Sequence, residues 1–399
     1  MSKEVPLQRF FISSSIGMED AVASEIHEVW GELLDLDGRP HCEQIVNLVV
    51  EKGGVSLSAP LHLGLQLNFF LKVPHRILLR LKEFRCRDFP KLFAEAQKIP
   101  LKEYVESNHW NLEVAASKSR LNHEGRVRDT LKKAFGLLEH DSTVPVAGSV
   151  YARFYDDTCS LSLDTSGEHL HFRGGNVHKG EAPLRETIAA FCLRLMTEGL
   201  SLVELSQIQW YDPMVGSGTF LSEISQRFSI NAHRTYAFQS WKKTPKALRG
   251  TTWFMNYPNF KVDKAGQFLL YGSDIDPQMV LLCQENLKRL QVDQANTESH
   301  FFVHDILSAE KLGEMSESKP LWMITNPPYG ERIEAQFSPQ QLLNAITKKF
   351  QPERLGILFS RKQRQELRTL PAGYSLLSEK SVLNGGIPCQ FVVWTRAQK

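Results

Sequence analysis

The sequence lacks the features that mark several classes of protein. It has six cysteines in 399 residues, and no two of them form a CxxC pair. We therefore predict reduced thiols, no disulfide framework and no metal site. No uncharged apolar run reaches the roughly 18 residues that a membrane span needs. The first ten residues, MSKEVPLQRF, also lack the apolar segment of a secretory signal, so we predict a cytoplasmic protein.

The sequence also has little net charge. Its 47 Lys and Arg residues nearly balance 45 Asp and Glu residues, which leaves +2. Taken alone, this value argues against a nucleic-acid partner. The charge is uneven, however: residues 1–60 carry 4 basic and 10 acidic side chains, and residues 61–140 carry 15 and 9. A basic segment is therefore hidden within a near-neutral chain.

What the sequence does contain is typical of a folded protein of two or three domains. Hydrophobic residues make up 42% and charged residues 23%. Up to about residue 165, short apolar or alternating runs predict an α+β arrangement. The predicted strands are Phe10–Ser14, Ile45–Val50, Leu65–Leu71, Arg76–Leu81, Leu112–Ala116, Ser149–Tyr155 and Cys159–Asp164. The predicted helices are Glu19–Trp30, Phe89–Ala96, Leu101–Glu106 and Glu124–Phe135.

From about residue 183, strands and helices alternate, which predicts a parallel α/β sheet. The last two strands have no long helix between them, so we expect an antiparallel hairpin at the sheet edge. The predicted strands are one ending at Asp212, then Phe268–Ser273, Phe301–Val303, Leu321–Thr325, Leu355–Phe359, Tyr374–Val382 and Gln390–Thr395. The predicted helices are Leu184–Met196, Phe220–Phe228 and Gln278–Leu290.

A glycine-rich turn, DPMVGSGT at 212–219, follows the first strand of this region and opens a helix. Such glycines let the backbone approach a ligand closely. Leu221 stands where a dinucleotide fingerprint has its third glycine, which weakens an NAD or FAD interpretation. Asp274 ends the next strand, and a carboxylate there can accept both ribose hydroxyls of a nucleoside. Because 62 residues separate Asp212 from Asp274, we predict an insertion at roughly 231–266.

Two further acids follow strands. Asp276 lies two residues after Asp274, and Asp305 closes the third strand, where it could accept a hydrogen bond from an adenine amino group. Taken singly, each is better explained as a turn residue or a helix cap. Together with the glycines they favour a nucleoside site.

The segment Asn326-Pro327-Pro328-Tyr329-Gly330 follows the apolar strand Leu321–Thr325. Its prolines remove backbone donors, so the Asn326 side-chain oxygen and the Pro327 carbonyl remain as acceptors. These suit a planar base with an exocyclic amine, which Tyr329 would stack against. The alternative is a turn stiffened by proline.

Three motifs in this order, DPMVGSGT, GSDIDP and NPPYGERI, resemble those of class I S-adenosylmethionine-dependent amino-methyltransferases. The segment LDTSGEHLHFRG at 163–174 and the segment EAPLRE at 181–186 resemble those of THUMP-domain guanine-N2 methyltransferases. Almost the whole chain is similar to the bacterial large-subunit ribosomal RNA (guanine-N2)-methyltransferases, in a version with one methyltransferase domain. The segment Gly174-Gly175-Asn176 departs from the usual Gly-Tyr-Arg.

The resemblance implies a seven-stranded Rossmann-like sheet with an antiparallel last strand, preceded by a ferredoxin-like and THUMP module. The implied domains are ferredoxin-like at 1–65, THUMP at 66–165 and methyltransferase at 166–399. It implies that S-adenosylmethionine is bound by Pro183, Leu184, Asp212, Pro213, Gly216, Ser217, Gly218, Thr219, Asp274, Ile275, Asp305, Ile306 and Asn326. It implies that the flipped guanine is held by Asn326, Pro327, Pro328 and Tyr329. Candidate RNA phosphate contacts are Arg85, Arg87, Lys118, Arg120, Arg126, Arg128, Lys132 and Lys133.

The predicted activity is methylation of the N2 amine of a guanosine in 23S ribosomal RNA, with S-adenosylmethionine as cofactor, RNA as partner and no metal. A guanosine of transfer RNA is the first alternative. Because the NPPY motif serves any planar amine, an adenine-N6 or glutamine-amide acceptor is a second. A non-catalytic RNA-binding or ribosome-assembly factor is a third, against which the intact Asp212, Gly216, Asp274 and Asn326 argue.

Overall fold

A computed structural model describes residues 6–138, 146–173, 184–227, 229–231, 234–250, 268–290, 297–307, 315–316, 318–329 and 337–397. The chain divides into two compact units. The N-terminal unit comprises Met1–Ser14, Val22–Leu170 and Asn231–Tyr257. The C-terminal unit comprises Ser15–Ala21, His171–Ile230 and Pro258–Lys399. In the part of the chain described, no helix is long and apolar enough to cross a membrane.

The N-terminal unit contains one seven-stranded sheet in the order β2-β3-β1-β4-β7-β6-β5. Its strands are β1 Leu7–Ser13, β2 Val46–Glu51, β3 Gly54–Pro60, β4 Arg76–Arg85, β5 Asn111–Ser117, β6 Ser149–Tyr155 and β7 Thr158–Asp164. The helices of this part of the sequence are α1 Glu19–Trp30, α2 Leu61–Phe70, α3 Phe89–Gln97 and α4 Glu124–Phe135. Neighbouring strands are antiparallel except β5 and β6, which are parallel. The strands on both sides of the domain boundary proposed at residue 65 therefore share one sheet.

Two expectations for this unit were wrong. Leu65–Leu71, predicted as a strand, lies mostly within helix α2, whose residues after Leu61 are all buried. An apolar run of this length fits a buried strand or a buried helix equally well. The close approach of Gly64 to the Phe10 ring, where an added Cβ would lie 2.1 Å from a ring carbon, permits the helix to pack on β1. The predicted helix Leu101–Glu106 is only a 3-10 turn at Leu101–Glu103.

The C-terminal unit contains a second seven-stranded sheet, in the order β10-β9-β8-β11-β12-β14-β13. Its strands are β8 Gln209–Asp212, β9 Phe268–Asp274, β10 Thr297–Val303, β11 Leu321–Thr325, β12 Arg354–Ser360, β13 Tyr374–Asn384 and β14 Ile387–Arg396. Its helices are α5 Glu186–Thr197, α6 Leu202–Ser206, α7 Thr219–Ser225, α8 Pro277–Arg289, α9 Pro339–Lys349 and α10 Arg361–Glu366.

Strands β8 to β12 pair in parallel, and β14 is antiparallel to both β12 and β13. The prediction of an α/β methyltransferase-type sheet with an antiparallel last strand is confirmed. The central strands are buried along their length, as expected for strands covered on both faces. Met323, Ile357 and Phe359 pack with Leu342 and Ile346 of α9 in one hydrophobic core.

The segment 231–250 lies between β8 and β9 in the sequence but belongs to the N-terminal unit. The Arg234 guanidinium donates hydrogen bonds to the carbonyl oxygens of Ser166, Glu168 and His169, at 3.1, 2.7 and 2.7 Å. Because three carbonyls share one planar cation, this side chain fixes the turn that follows β7. The part of the predicted insertion at 251–266 lies outside the described residues.

Aromatic packing holds the same segment to the unit. The Phe69 ring contacts the rings of Tyr236 and Phe238 edge-on, at centroid distances of 4.9 and 5.6 Å. Trp241 contacts Tyr104 in the same manner at 5.3 Å. Phe69 and Phe238 are fully buried. The inserted segment therefore forms part of the hydrophobic core of the N-terminal unit.

Candidate active site

The segments singled out in the sequence meet at one edge of the second sheet. Asp212 ends β8 and pairs with Gly272 of β9, while Asp274 ends β9 and pairs with Val303 of β10. Asn326 follows β11, which pairs with β8 in parallel. Because these strands are adjacent and parallel, their carboxyl ends lie together, where sheets of this kind bind ligands.

The glycine-rich turn at 213–218 wraps against the end of β9. The N–H of Gly216 donates to Asp274 Oδ2 at 3.0 Å, and the N–H of Val215 donates to the Ser273 carbonyl at 2.8 Å. Gly216 and Gly218 have φ angles of +49° and +83°, which favour glycine. A Cβ on Gly216 would have no heavy atom within 4 Å, so open space adjoins the turn there.

The other glycine of the turn packs tightly on helix α8. A Cβ on Gly218 would lie 2.6 Å from Cys283 Sγ. On the same helix, the buried Asn286 donates from Nδ2 to the Ser217 carbonyl at 2.9 Å. Asn286 is not among the residues predicted for the site, although it stands nine residues after the start of a helix that follows Asp274.

The two acids of the DIDP segment differ in their surroundings. Asp276 caps α8 by accepting from the N–H of Gln278 at 2.8 Å, which is the helix-cap interpretation. Asp274 accepts one backbone N–H on each carboxylate oxygen, from Gly216 and from Asp276. Burial raises the pKa of Asp274, and these hydrogen bonds oppose the rise. The two Asp274 oxygens have about four lone pairs between them, so acceptor capacity remains for a ligand beside these backbone contacts.

Asp212 lies beneath the glycine-rich turn with 2% of its surface exposed. It accepts the N–H of Met214 at 3.1 Å. Burial raises the pKa of Asp212 to about 7, against the lowering effect of that hydrogen bond. A cation bound nearby would lower the pKa of Asp212 and favour its ionised form.

The remaining predicted cofactor residues have varied surroundings. Asp305 accepts the N–H of Leu307 at 2.9 Å, as a turn residue does. Ile306 is 2% exposed and Ile275 is 66% exposed. Leu184 is buried just before α5. Pro213 and Ser217 lie in the glycine-rich turn, and Thr219 is the first residue of α7. Pro183 lies outside the described residues. The departure at Gly174-Gly175-Asn176 also lies outside them.

The segment Asn326–Tyr329 is held by polar contacts that no sequence motif predicts. The Tyr329 hydroxyl donates to Asn326 Oδ1 at 2.6 Å, and Asn384 Nδ2 donates to the Tyr329 hydroxyl at 3.2 Å. Gln363 Nε2 donates to the Pro328 carbonyl at 2.7 Å. Burial raises the pKa of Tyr329, so the phenol keeps its proton.

The structure brings several predicted RNA-contact residues to one end of the first sheet. Arg85 pairs with Thr158 at the β6–β7 turn, and Ser117, just before Lys118, pairs with Tyr155. Exposed cations there are Arg85, Arg87, Lys118 and Arg120, which with Tyr155 form what we call the basic patch. Lys118 Nζ lies 5.7 Å from the centroid of the exposed Tyr155 ring.

Asp157 partly neutralises the basic patch. It accepts from Arg87 Nε at 2.7 Å and from the backbone N–H of Arg120 at 2.8 Å. Of the other predicted contacts, Arg126 lies over the Phe89 ring, 4.6 Å from its centroid. Arg128 donates to the Leu112 carbonyl. Lys132 and Lys133 occupy the last turn of α4, away from its start beside the patch.

A cleft of about 410 Å³ on the same sheet was not foreseen. Arg76, Arg80 and Arg153 line it. Arg76 pairs with the buried Asp164, and Arg80 pairs with Glu83 at 3.1 Å. Because carboxylates balance two of its three arginines, the cleft offers less free positive charge than the basic patch. Among the described residues, no group of three His, Cys, Asp or Glu side chains could hold a metal ion.

Comparisons with known proteins agree with this geometry. The family model described as "RMKL-like, methyltransferase domain" matches residues 173–389, more than half of the chain. A curated relative, "Ribosomal RNA large subunit methyltransferase K/L" of Psychromonas ingrahamii, is 28% identical over 302 residues, which are 70% of this chain and 38% of that protein. The chain therefore spans less than half the length of this relative.

Solved structures match nearly the whole chain. A possible methylase from Clostridium difficile 630 covers 99% of both chains, with a TM-score of 0.75 and 22% identity. SMU.472, a putative methyltransferase complexed with SAH, covers 98% of this chain and 99% of its own, with a TM-score of 0.73 and 21% identity. At these identities the likeness shows the fold.

Proposed function

Because the chain belongs to the family of RMKL-like methyltransferase domains, we propose that it is an S-adenosylmethionine-dependent RNA methyltransferase. Its substrate is the N2 amine of a guanosine in 23S ribosomal RNA, in the cytoplasm. The observation that carries the proposal is the meeting of the glycine-rich turn, Asp274 and Asn326 at the carboxyl ends of adjacent parallel strands. The name of the Psychromonas relative, a large-subunit ribosomal RNA methyltransferase, supports the choice of RNA.

The site fits the cofactor. S-adenosylmethionine supplies, when bound, an electrophilic methyl group on a sulfonium. Asp274 has free lone pairs for the ribose hydroxyls, and the open space beside Gly216 admits the backbone contacts of the methionine portion. Asp212 adds negative charge for a cationic ligand, and the hydrophobic Ile306 supports the adenine beside Asp305. The bound SAH of SMU.472, which shares the fold, supports a cofactor of this class.

Asn326 and Pro327 orient the substrate amine. The Asn326 side-chain oxygen and the Pro327 carbonyl accept its two hydrogens and aim the nitrogen lone pair at the methyl group. The same oxygens stabilise the positive charge that develops on the nitrogen. Pro328 stiffens the segment, and Tyr329 offers a ring face to a base taken out of its stack. The residues hold and orient groups, so neither a covalent intermediate nor a metal is required.

The basic patch is our proposed RNA surface. Its cations meet backbone phosphates, and the exposed Tyr155 ring can stack on an unpaired base. Replacing Arg85 and Lys118 with Glu should weaken RNA binding. It should also reduce the magnitude of the slope of log association constant against log salt concentration by about two or more. Reversing Lys132 and Lys133 provides a control of equal charge at the other end of α4. An equal effect of both pairs would contradict the choice of the patch.

Mass spectrometry of RNA from a deletion strain tests the substrate. We expect N2-methylguanosine to be lost from one position of 23S ribosomal RNA and restored by the plasmid-borne gene. Loss from transfer RNA instead would support the first alternative, and loss of N6-methyladenosine the second. An unchanged modification profile, together with no calorimetric binding of S-adenosylmethionine, would support a non-catalytic factor.

The Asn326→Ala variant tests the site. We expect methylation to be abolished while S-adenosylmethionine binding, measured by calorimetry, stays within about twofold of the wild type, because the lost group contacts the substrate. Near-normal methylation would refute the role of Asn326.

A further inference from the structure

We infer that Asn384 is a positioning residue. It sets the direction of the Tyr329 hydroxyl hydrogen and thereby decides that the Asn326 amide presents its oxygen, rather than its NH2 group, to the substrate amine. The inference rests on the proposed function. Asn384 stands at the end of β13, on a strand that the sequence motifs do not include. It acts through Tyr329 and does not itself touch the substrate.

The contacts form a relay of three side chains. Asn384 Nδ2 donates to the Tyr329 hydroxyl at 3.2 Å, and this hydroxyl donates to Asn326 Oδ1 at 2.6 Å. Asn384 is 7% exposed and pairs with Ile387 across the β13–β14 turn. The donor therefore comes from a paired strand rather than from a loose loop.

A hydroxyl has one hydrogen to donate. Asn384 donates to the Tyr329 oxygen, and the single hydrogen points at Asn326 Oδ1, 2.6 Å away, in preference to the sulfur of Cys389, which also contacts this hydroxyl and is a weaker acceptor. The Asn326 oxygen is then fixed in place and keeps a second lone pair for the amine. If the hydrogen turned away, the Asn326 amide could rotate and direct its N–H groups at the Tyr329 oxygen, which would displace the acceptor that the amine needs.

The surroundings of Asn384 favour this role over packing. Its Oδ1 atom is buried and has no hydrogen-bond partner among the residues that the structure describes. An unpaired buried oxygen destabilises a fold, so packing alone does not account for an amide at this position. The backbone of the motif is held separately, since Gln363 donates to the Pro328 carbonyl and its Oε1 accepts from the N–H of Ser360. Changing Asn384 should therefore leave the motif backbone in place.

An isosteric substitution separates positioning from packing. In Asn384→Asp the carboxylate accepts from the Tyr329 hydroxyl and turns its hydrogen away from Asn326. In Asn384→Ala the hydroxyl loses a donor but can still donate to Asn326. We expect the single-turnover methylation rate to fall about tenfold or more in Asn384→Asp and less in Asn384→Ala, with S-adenosylmethionine affinity unchanged in both. A packing role predicts the reverse order, because aspartate fills the space of asparagine and alanine does not.

A double-mutant cycle with Tyr329→Phe completes the test. Without the hydroxyl there is no hydrogen to direct, so Asn384→Asp should cause little further loss in that background. Asn344→Asp is the matched control: it makes the same chemical change on α9, where the side-chain oxygen accepts from Gln340. We expect it to leave the rate within about twofold of the wild type.

The outcomes are distinct. A wild-type protein that binds S-adenosylmethionine but methylates no RNA contradicts the proposed function, and the inference falls with it. If the wild type methylates RNA, three results would overturn only the role of Asn384. Asn384→Asp could be as active as the wild type, its loss of rate could be smaller than that of Asn384→Ala, or its loss could add in full to that of Tyr329→Phe.

Discussion

The tight packing of Gly218 on helix α8 leads to a quantitative prediction. In Gly218→Ala the new Cβ would lie 2.6 Å from Cys283 Sγ and 3.5 Å from Cys283 Cα. Overpacking of this kind costs roughly 1–3 kcal/mol. The φ of +83° adds roughly 1–2 kcal/mol for a residue with a side chain. We therefore expect Gly218→Ala to lower the free energy of unfolding by roughly 2–5 kcal/mol.

Gly216→Ala is the matched control, because its φ of +49° is also left-handed and a Cβ there meets nothing within 4 Å. It should cost only the conformational part, roughly 1–2 kcal/mol. The difference between the two variants isolates the contact with Cys283. Adding Cys283→Ala to Gly218→Ala removes the nearest atom and should recover much of that difference, after correction for the Cys283→Ala single variant.

Urea unfolding measures these losses of stability. The relevant transition is first identified in the wild type as the one that S-adenosylmethionine shifts to higher urea concentration, because a ligand stabilises the unit that binds it. Two results would refute the reasoning. One is equal destabilisation by Gly216→Ala and Gly218→Ala. The other is a double variant with no recovery, which would place the cost of Gly218→Ala in the backbone alone.

Three further predictions concern the carboxylates and the inserted segment. Because burial raises the pKa of Asp212 to about 7, binding of the cationic S-adenosylmethionine should favour the carboxylate, release protons near neutral pH and tighten as pH rises towards that value. Calorimetry in two buffers of different ionisation enthalpy checks this, and equal proton release by Asp212→Asn would contradict it. Asp274→Ala should weaken cofactor binding about 10- to 100-fold, whereas Asp276→Ala, which removes only a helix cap, should change affinity little; equal losses in titrations would contradict the assignment. Phe69→Ala should lower the stability of the N-terminal unit by roughly 3–5 kcal/mol, and Phe238→Ala should destabilise the same transition in thermal melts, so an effect confined to the other unit would count against the packing of the inserted segment.

The sequence predicted the second sheet well because its signals are local. Apolar runs such as Leu321–Thr325 match observed strands, and Pro277 marks the residue at which α8 begins. The positions of Asp212, Asp274 and Asn326 at one sheet edge follow from the alternation of strands and helices. This placement needs only the topology.

The supporting contacts could not be predicted in the same way. Asn384 and Gln363 contact the motif across 55 and 35 residues of sequence, and no pattern around them indicates a partner. Leu65–Leu71 was misassigned because burial on every side erases the periodicity that separates a helix from a strand. The excess of positive charge in residues 61–140 can be counted in the sequence, but only the strand register shows that Ser117, just before Lys118, pairs with Tyr155.

The placement of residues 231–250 has a consequence for synthesis on the ribosome. The N-terminal unit is not contiguous in the chain, since Phe69 and Tyr104 pack against aromatic residues that follow β8. Between 67 and 86 residues separate Asp164, the end of β7, from this segment. At translation rates of about 5–20 residues per second, the missing part of the core emerges about 3–17 s later. The segments of the two units are therefore synthesised in alternation. No single cut in the gene would release the whole N-terminal unit.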